Sequence, residues 1–449
     1  MIESLKHLNS TQLNHAALAA QFTDLAPALN ARQAQIESER CLYCYDAPCT
    51  RICPTEIDVA SFIRNIATEN INGAAKTILQ QNILGGSCAR VCPTEILCED
   101  ACVRNHDAEG VPVKIGLLQR FAIDHMHFAT HPFARAALTG RTIAVVGAGP
   151  AGLACAHQLA MLGNDVVIFE SLSKPGGLNE YGIAKYKLTD NYAQREVDFL
   201  LAIGGISIQY GLTLGDNLSL AQLNKDYSAV FLALGLGASR ALGLGNEDAP
   251  GLLPAVNYIA ELRQADDLTQ LPVPKCALVI GAGNTAIDMA VQIARLGCED
   301  VTVVYRRGVE SMSATQHEQE IAKANQVRIK TWAKPVQVLL DDAGRVRGMR
   351  FEKTWMVADQ VQASGESFEL SADAIFKAIG QTLEVDQTGL ALVADKIAVD
   401  ANFRTHLKGV YAGGDCIGPG QDLTVQAVQH GKLAARAIHA DLINSTEAA

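Results

Sequence analysis

The chain has 449 residues, of which 49% are hydrophobic and 19% charged, and its formal net charge is −11. These values indicate an α/β enzyme of two to four domains and exclude a disordered or coiled-coil protein. The acidic balance and the lack of a basic stripe exclude a general nucleic-acid binder, because nothing would neutralise the phosphates.

The first residues, MIESLKHLNS, contain no basic segment followed by an apolar run, so we expect no secretory signal and a cytoplasmic protein. The most hydrophobic stretch, 142–163, carries GAGPAG and the polar residues His157 and Gln158. It is therefore predicted to be a buried strand, loop and helix, and no membrane segment is expected.

Residues 1–40 are polar and predicted to be helical. Eight of the twelve cysteines follow in two sets, Cys41-x2-Cys44-x4-Cys49-x3-Cys53-Pro and Cys88-x3-Cys92-Pro-x4-Cys98-x3-Cys102. Between the sets, apolar residues recur at helical spacing from Val59 to Ile66, with Asp58 as N-cap. Residues 1–125 are therefore predicted to form an all-helical cluster domain.

The cysteine spacing is typical of two [4Fe–4S] clusters, which need thiolates converging from a close run and from one distant residue. Because the cysteine before the proline ligates the other cluster in two-cluster ferredoxins, we expect the two sets to interleave. Structural zinc sites favour separated CxxC pairs, and disulfides are not expected in a reducing compartment.

A first nucleotide-binding unit starts near Arg141. In IAVVGAGPAGLACAHQLAMLGNDVVIFE, Gly147, Gly149 and Gly152 form GxGxxG between a predicted strand and helix. These glycines allow a tight turn and close approach of the backbone to a pyrophosphate, which would lie at the helix N-terminus. Glu170 ends the next predicted strand, where an acid can bind a ribose.

A second unit starts at Cys276 and contains Gly281, Gly283 and Ala286. Its second strand is followed by Arg306 and Arg307, where the first unit has an acid. An arginine there can accommodate the 2′-phosphate of NADP, or the pair can simply be a solvated basic surface. The unit is predicted to bind a nicotinamide nucleotide, with NAD or NADP left open.

Near the C-terminus, Asp415 follows a predicted strand over Val410–Ala412 and a glycine turn, and Thr424 opens a long helix. We expect the positive end of this helix to face a flavin. A returning C-terminal segment predicts one nucleotide domain inserted in the other. The expected ranges are 140–238 and 383–449 for an FAD-binding domain and 239–382 for an NAD(P)-binding domain.

From about Cys41 to the final helix, the chain resembles the electron-input half of dihydropyrimidine dehydrogenase. The resemblance is carried by CLYCYDAPCTRICPT, DVASFIRNIA, CARVCPTEILCEDAC and IGLLQRF. The small subunit of glutamate synthase has the same architecture and is the alternative. The resemblance implies an α/β fold with an N-terminal all-helical [4Fe–4S] domain and two Rossmann-like domains, one inserted in the other.

The resemblance also implies the ligands. One cluster would be held by Cys41, Cys44, Cys49 and Cys102, and the other by Cys53, Cys92, Cys98 and Gln119. Spacing alone would have chosen Cys88 as the eighth ligand. Glutamate-synthase-like chains tend to carry Glu at the position of Gln119. FAD would contact residues 147–152, Glu170, Leu178, Lys187, Asp415 and Thr424.

The nicotinamide nucleotide would lie over 281–288, with Arg306 and Arg307 at its adenosine end. A basic residue of NADP-dependent relatives is replaced here by Ser313, which favours NAD. The implied activity is NAD(P)H oxidation through FAD and two [4Fe–4S] clusters. The implied partner is an FMN and iron–sulfur subunit that reduces uracil or thymine.

Overall fold

The described part of the chain, residues 2–358, 360–385 and 388–447 of a computed structural model, folds as two units. One consists of 2–25, 181–189 and 238–382, and is called the first unit below. The second unit consists of 26–180, 190–237 and 383–447. Each unit is therefore assembled from segments that are distant in the sequence.

The described ranges contain the following α-helices: α1 (His15–Gln21), α2 (Ala31–Glu39), α3 (Pro48–Ile52), α4 (Val59–Ala67), α5 (Ile71–Gln81), α6 (Gly85–Val91), α7 (Ile115–Asp124), α8 (Pro150–Met161), α9 (Leu178–Tyr181), α10 (Tyr192–Leu201), α11 (Leu220–Asp226), α12 (Ala255–Gln264), α13 (Asn284–Arg295), α14 (Gln316–Ala324) and α15 (Thr424–Glu447). Short 3-10 helices cover Glu3–Leu5, Thr94–Ile96, Val103–His106, Leu268–Gln270 and Val309–Ser311.

The strands of the same ranges are β1 (Thr142–Val146), β2 (Asp165–Glu170), β3 (Ile206–Tyr210), β4 (Val230–Leu232), β5 (Ala238–Ser239), β6 (Leu252–Pro254), β7 (Cys276–Gly281), β8 (Asp300–Val304), β9 (Arg328–Lys330), β10 (Ala333–Leu340), β11 (Val346–Val357), β12 (Gln360–Ser371), β13 (Ala374–Ala378), β14 (Gln381–Thr382), β15 (Leu392–Val393), β16 (Lys396–Ile397) and β17 (Val410–Ala412).

The N-terminal part of the second unit is helical, from α2 to α7. Helix α4 presents Phe62 and Ile63 to the core, and both are fully buried. Its N-cap is Asp58, whose side chain accepts a hydrogen bond of 3.0 Å from the backbone N–H of Ser61. This arrangement confirms the helix predicted from the spacing of its apolar residues.

The remainder of the second unit is a parallel sheet in the order β17-β4-β1-β2-β3. Strand β1 pairs with β2 on one side and with β4 on the other, so the strand order reverses at β1. Ligands of such sheets bind at this reversal, beyond the carboxyl ends of the strands. Helix α15 packs closely on α8 at Gly431, where a Cβ would collide with the carbonyl oxygen of Ala151.

The first unit contains a second parallel sheet in the order β6-β13-β7-β8-β9, followed by the antiparallel sheet β10-β11-β12. Helix α13 connects β7 to β8 and is largely buried. The two Rossmann-like sheets and the helical N-terminal part confirm the predicted fold class.

The first 25 residues lie in the first unit, whereas the predicted cluster domain began at residue 1. Leu5 and Leu18 are buried in the same core as Tyr258. Such short helices carry few apolar residues, so the sequence could not show which core they join. The boundaries of the predicted domains stay predictions.

Candidate functional site

The first glycine loop connects β1 to α8. Gly147 has φ of 100°, and a Cβ there would collide with the carbonyl oxygen of Ala233. A Cβ at Gly152 would collide with the carbonyl oxygen of Gly147, so that glycine lets helix and loop pack together. Gly149 is the N-cap of α8 and provides no side-chain cap, which leaves the helix N-terminus open to an anion.

Glu170 ends β2 beside this loop and is 6% exposed. One of its carboxylate oxygens accepts a hydrogen bond of 2.7 Å from the backbone N–H of Ala148. The other accepts one of 2.8 Å from the backbone N–H of Leu172. The carboxylate therefore fixes the loop between β1 and α8.

Two further segments of the second unit contact the same loop. Gly177, directly before Leu178, approaches Gly149 so closely that a Cβ would lie 2.7 Å from its Cα. Gly414, directly before Asp415, packs on the first turn of α8. Thr424 at the start of α15 donates a hydrogen bond of 3.1 Å to Asn179.

The structure therefore brings together seven of the eight predicted flavin residues: Gly147, Gly149, Gly152, Glu170, Leu178, Asp415 and Thr424. Burial raises the pKa of Asp415 to about 6, and the nearby Asp422 acts in the same direction. An open helix N-terminus and three converging glycine turns fit a dinucleotide pyrophosphate.

His430 belongs to the same region but was not predicted. Its Nδ1 accepts a hydrogen bond of 3.2 Å from the backbone N–H of Gly414, and its Nε2 lies 2.9 Å from the Gln426 amide. Burial lowers its pKa, so the neutral ring holds the glycine turn. Its position one helical turn after Gln426 was the signal available in the sequence.

Lys187, the eighth predicted flavin residue, lies in the first unit. Its ammonium lies 2.7 Å from the Asp288 carboxylate and 2.6 Å from that of Glu318. Burial disfavours the charge on Lys187, but the two carboxylates outweigh burial and hold its pKa above the ordinary value. Its role at the flavin stays a prediction.

The second glycine loop, with Gly281, Gly283 and Ala286, connects β7 to α13 in the same way. The side-chain oxygen of Asn284, in the first turn of α13, is buried without a hydrogen-bond partner among the described residues. An unpartnered polar atom at this helix N-terminus fits a bound nucleotide.

After β8, Arg306 is exposed, whereas Arg307 is half-buried and its Nε has no partner in the described ranges. Ser313 lies near the same loop, with its hydroxyl 3.5 Å from the carbonyl oxygen of Ala282. The arginine pair is therefore available to a ligand at the end of β8.

Four predicted ligands, Cys41, Cys44, Cys49 and Cys102, line one cavity in the helical part of the second unit. The other lining residues are mostly apolar, including Val59, Ile63, Val113 and Ile115. The cavity encloses about 370 Å³ of empty space, including its opening to solvent. It is called the first cavity below.

The other predicted ligands, Cys53, Cys92, Cys98 and Gln119, line a second cavity, together with Cys88. The Gln119 amide nitrogen donates a hydrogen bond of 2.7 Å to the carbonyl oxygen of Gly85, so the amide oxygen is the atom that could act as the predicted ligand. Asn82, which follows α5, and Val425, which lies in the first turn of α15, also line this cavity.

The thiols of both cavities are held in a low-dielectric environment. Burial raises the pKa of Cys49 to about 11 and that of Cys98 well above its usual value. The pKa of Cys92 is raised by a hydrogen bond with the Cys88 thiol and by burial. Such thiols ionise only with a strong cationic partner, and iron clusters provide one.

Within the described residues, no three His, Cys, Asp or Glu side chains are arranged to hold a single metal ion. The twelve cysteines, all within the described ranges, form no disulfide. The donor set that is present is two groups of sulfur atoms around two cavities, which fits two polynuclear clusters.

Two buried charged residues next to the second cavity were also missed. Lys432 of α15, 6% exposed, donates hydrogen bonds to the carbonyl oxygen of Thr55 and to both oxygens of Gln81. Glu196 of α10, 6% exposed, accepts hydrogen bonds from the N–H groups of Gly86 and Ser87 at the start of α6. Both residues lie far in sequence from the cysteines, so no local pattern marks them.

No helix in the described ranges combines the length and the apolar character needed to cross a membrane.

Comparison with known families gives two matches. Residues 18–130 match the family described as dihydropyrimidine dehydrogenase domain II, 4Fe-4S cluster. Residues 141–431 match the pyridine nucleotide-disulphide oxidoreductase family.

Among curated proteins, the PreT subunit of NAD-dependent dihydropyrimidine dehydrogenase from Salmonella typhimurium is 35% identical over 93% of this chain and 96% of its own length. The PreT subunit from Escherichia coli K12 is 34% identical over the same shares. The glutamate synthase [NADPH] small chain from Escherichia coli K12 is 30% identical over 93% of both chains.

Among solved structures, FprA from Mycobacterium tuberculosis matches with a TM-score of 0.59 at 19% identity, over 69% of this chain and 86% of its own. Thioredoxin reductase from T. acidophilum matches with a TM-score of 0.52 at 19% identity, over 68% and 99%. At this identity the likeness shows the fold alone.

Proposed function

The chain belongs to the family of dihydropyrimidine dehydrogenase PreT subunits and glutamate synthase small chains, and from that premise we propose that it is the electron-input subunit of a heteromeric dihydropyrimidine dehydrogenase. Its domains make it an NAD(P)H-dependent oxidoreductase with an iron–sulfur domain. The proposed partner is an FMN and iron–sulfur subunit that reduces uracil or thymine to the 5,6-dihydro form. A cytoplasmic location is part of the proposal, because free cysteine thiols persist in a reducing compartment and tend to form disulfides in an oxidising one.

When bound, FAD would accept hydride from NADH or NADPH, and the two [4Fe–4S] clusters would carry its electrons singly to the partner. The protein's own contribution is binding and orientation. Glu170 and His430 fix the glycine turns around α8, and the open N-terminus of α8 receives the pyrophosphate. The loop at Gly281 and the arginine pair would bind the nicotinamide nucleotide.

The observation that carries this proposal is the sorting of the cysteines into two cavities within one helical part of the chain. A redox enzyme that uses only flavin and nicotinamide needs neither cavity. Cys102 joins Cys41, and Cys53 joins Cys98, so each set combines residues from both sequence runs. This interleaving is the arrangement that two-cluster ferredoxins use.

The same geometry supports an order of electron flow. The second cavity is lined by Val425, next to the predicted flavin residue Thr424. The first cavity is lined by residues between Cys41 and Ile115 alone. We therefore propose that electrons enter at the second cavity and leave through the first.

The test is to purify the full chain anaerobically and measure its cofactors and reactions. We expect FAD absorbance, about eight irons per chain, and reduction of a dye by NADH. Uracil reduction should require the partner subunit. Uracil turnover by the chain alone, or zinc in place of iron, would refute the proposal.

The fourth ligand of the second cluster can be tested with a pair of variants. We expect Gln119→Ala to perturb the spectrum of one cluster, whereas Cys88→Ala leaves both clusters intact. Cys155→Ala, a buried cysteine outside both cavities, is the control for loss of a core thiol. The reverse result would assign Cys88 as the ligand.

Glutamate synthase is the second candidate, because its small chain is similar over 93% of both chains. The presence of Gln119 among the second cavity's lining residues favours the pyrimidine enzyme. Mixing the chain with each candidate partner separates the two, since only the true partner should accept electrons from NADH.

A further inference from the structure

Asn82 lines the second cavity and is fully buried at the C-terminal end of α5. Its side-chain oxygen accepts a hydrogen bond of 3.0 Å from the backbone N–H of Leu84. Its side-chain nitrogen has no hydrogen-bond partner among the described residues. Because the Leu84 N–H requires an acceptor, the amide cannot be turned around, and its N–H donors are left for the cavity.

An unsatisfied buried N–H donor is unfavourable, and native structures seldom retain one without a partner. The other residues around the second cavity are apolar groups, thiols, Thr94 and the Gln119 amide. The Thr94 side chain is already hydrogen-bonded to the Glu99 carboxyl, and the Gln119 amide nitrogen is already bound to Gly85. The acceptor that this cavity would gain on loading is cluster sulfur. Hydrogen bonds to these sulfurs and nearby charge are among the determinants of a cluster's reduction potential.

Lys432 holds the residue next to Asn82. Its ammonium donates to the Gln81 backbone oxygen at 2.9 Å, to the Gln81 side-chain oxygen at 3.0 Å and to the Thr55 backbone oxygen at 3.2 Å. Thr55 in turn lies two residues after the predicted ligand Cys53, and their side chains are 3.4 Å apart.

All three acceptors of Lys432 are neutral, and the carboxylate that favours its charge, Glu56, lies beyond ion-pair distance of its ammonium. A buried positive charge without a directly paired counterion is costly. A cluster held by thiolates is anionic and would compensate the charge. Lys432 is thus bound to the direct neighbours of two lining residues, to Thr55 after Pro54 and to Gln81 before Asn82.

We propose that Asn82 donates an N–H···S hydrogen bond to the second cluster, and that Lys432 of α15 positions Asn82 and raises the cluster's reduction potential. Asn82 contacts the cluster sulfur in this proposal, whereas Lys432 is a positioning residue that acts partly through Asn82. Neither supplies a ligand to iron. The inference rests on the proposed function, because it requires an iron–sulfur cluster in the second cavity.

The experiment is a potentiometric titration of the full, cluster-loaded chain, followed by low-temperature electron paramagnetic resonance. Gln119→Cys identifies the signal of the second cluster, since only that cluster would change its ligand. We expect Asn82→Leu to keep the iron and sulfide content. At a fixed potential, its ratio of reduced to oxidised second cluster should fall about tenfold, which is 59 mV for one electron.

Two matched controls remove similar groups elsewhere. Asn70 caps the other end of α5 by accepting a hydrogen bond from Gly73, so Asn70→Ala removes a comparable Asn contact away from the cavity. Arg436 lies one helical turn after Lys432 and is exposed, so Arg436→Met removes a charge from the same helix. We expect neither control to change the ratio by more than twofold.

Lys432→Met should lower the ratio in the same direction, and Lys432→Arg should restore most of it. In the double variant with Asn82→Leu the two effects should be less than additive, because Lys432 acts partly through Asn82. A second measurement is resonance Raman spectroscopy, in which Fe–S bands of the second cluster should shift in D2O and lose that shift in Asn82→Leu.

Unchanged potentials and D2O shifts with full iron would overturn this inference and leave the proposed function standing. Absence of iron from the unmodified chain would instead overturn the proposed function. If Asn82→Leu fails to retain the second cluster, the inference is tested with Lys432→Met instead. It is then refuted if the ratio of reduced to oxidised second cluster in Lys432→Met equals the ratio in Arg436→Met.

Discussion

The buried carboxyl of Glu196 gives a prediction that can be worked out from the structure. On α10, Glu196 accepts hydrogen bonds of 2.8 Å from the Gly86 N–H and 3.0 Å from the Ser87 N–H, and it also contacts the Ser87 hydroxyl. These groups begin α6, the helix that leads to Cys92. Burial raises the pKa of Glu196 to about 7, and the three donors only partly offset it.

The sign of the effect follows from the protons bound in each state. Between the ordinary pKa of 4.5 and about 7, the folded protein holds a proton on Glu196 that the unfolded chain has released. Stability from this group is therefore complete below pH 4.5 and is lost as the pH rises through 7. A shift of about 2.5 pKa units corresponds to roughly 3 kcal/mol over that interval, at 1.36 kcal/mol per unit.

The assay compares the wild-type chain with Glu196→Gln, which is isosteric but does not titrate. Urea denaturation is followed at pH 5, 6, 7 and 8. We expect the stability of the wild type relative to the variant to fall by roughly 2.5 kcal/mol between pH 5 and 8, because part of the effect lies below pH 5. A difference that stays constant over this range would show that Glu196 does not titrate in the folded state, and the reasoning would be refuted.

Three further outcomes are expected. Lys187→Met should lower the free energy of unfolding, measured by urea denaturation, by about 3–5 kcal/mol, because it leaves the buried carboxylates of Asp288 and Glu318 without their cation. Lys353→Met, which removes an exposed ion pair, is the control and should lower it by less than about 1 kcal/mol. Arg306→Gln should raise the KM for NADPH about tenfold in dye reduction and leave the KM for NADH unchanged, since a hydrogen bond from arginine to phosphate is worth about 1.5–3 kcal/mol. An equal rise in the KM for NADH and for NADPH would contradict a contact between Arg306 and the 2′-phosphate. Glu170→Gln should weaken FAD binding about tenfold by fluorescence titration, because a charged acceptor is lost.

The sequence identified the parts of the fold that depend on local pattern. The helix at Val59–Ala67 and its Asp58 cap were predicted from apolar spacing. The two strand–loop–helix units were predicted because a GxGxxG or GxGxxA loop after a strand forces the same short-range geometry. The position of the first 25 residues was not predicted, since their few apolar side chains fit more than one core.

The candidate site divides in the same way. The cysteines and glycines were found from spacing or resemblance, because their chemistry constrains their immediate neighbours. Glu196 and Lys432 were missed because their roles depend on contacts between distant segments. Asn82 and His430 make nearer contacts but belong to no recognised motif. Lys432, for example, is 351 residues from Gln81, which it contacts.

Helix α15 shows why such distant contacts matter for an electron-transfer protein. Its first residue, Thr424, contacts Asn179 in the region predicted to hold the flavin, and its second, Val425, lines the second cavity. Lys432, eight residues after Thr424, binds Gln81, the neighbour of the lining residue Asn82. At 1.5 Å per residue, these contacts span about 12 Å along one rigid helix. Because a single helix makes all of them, we expect a shift of α15 to alter the predicted flavin region and the second cavity together.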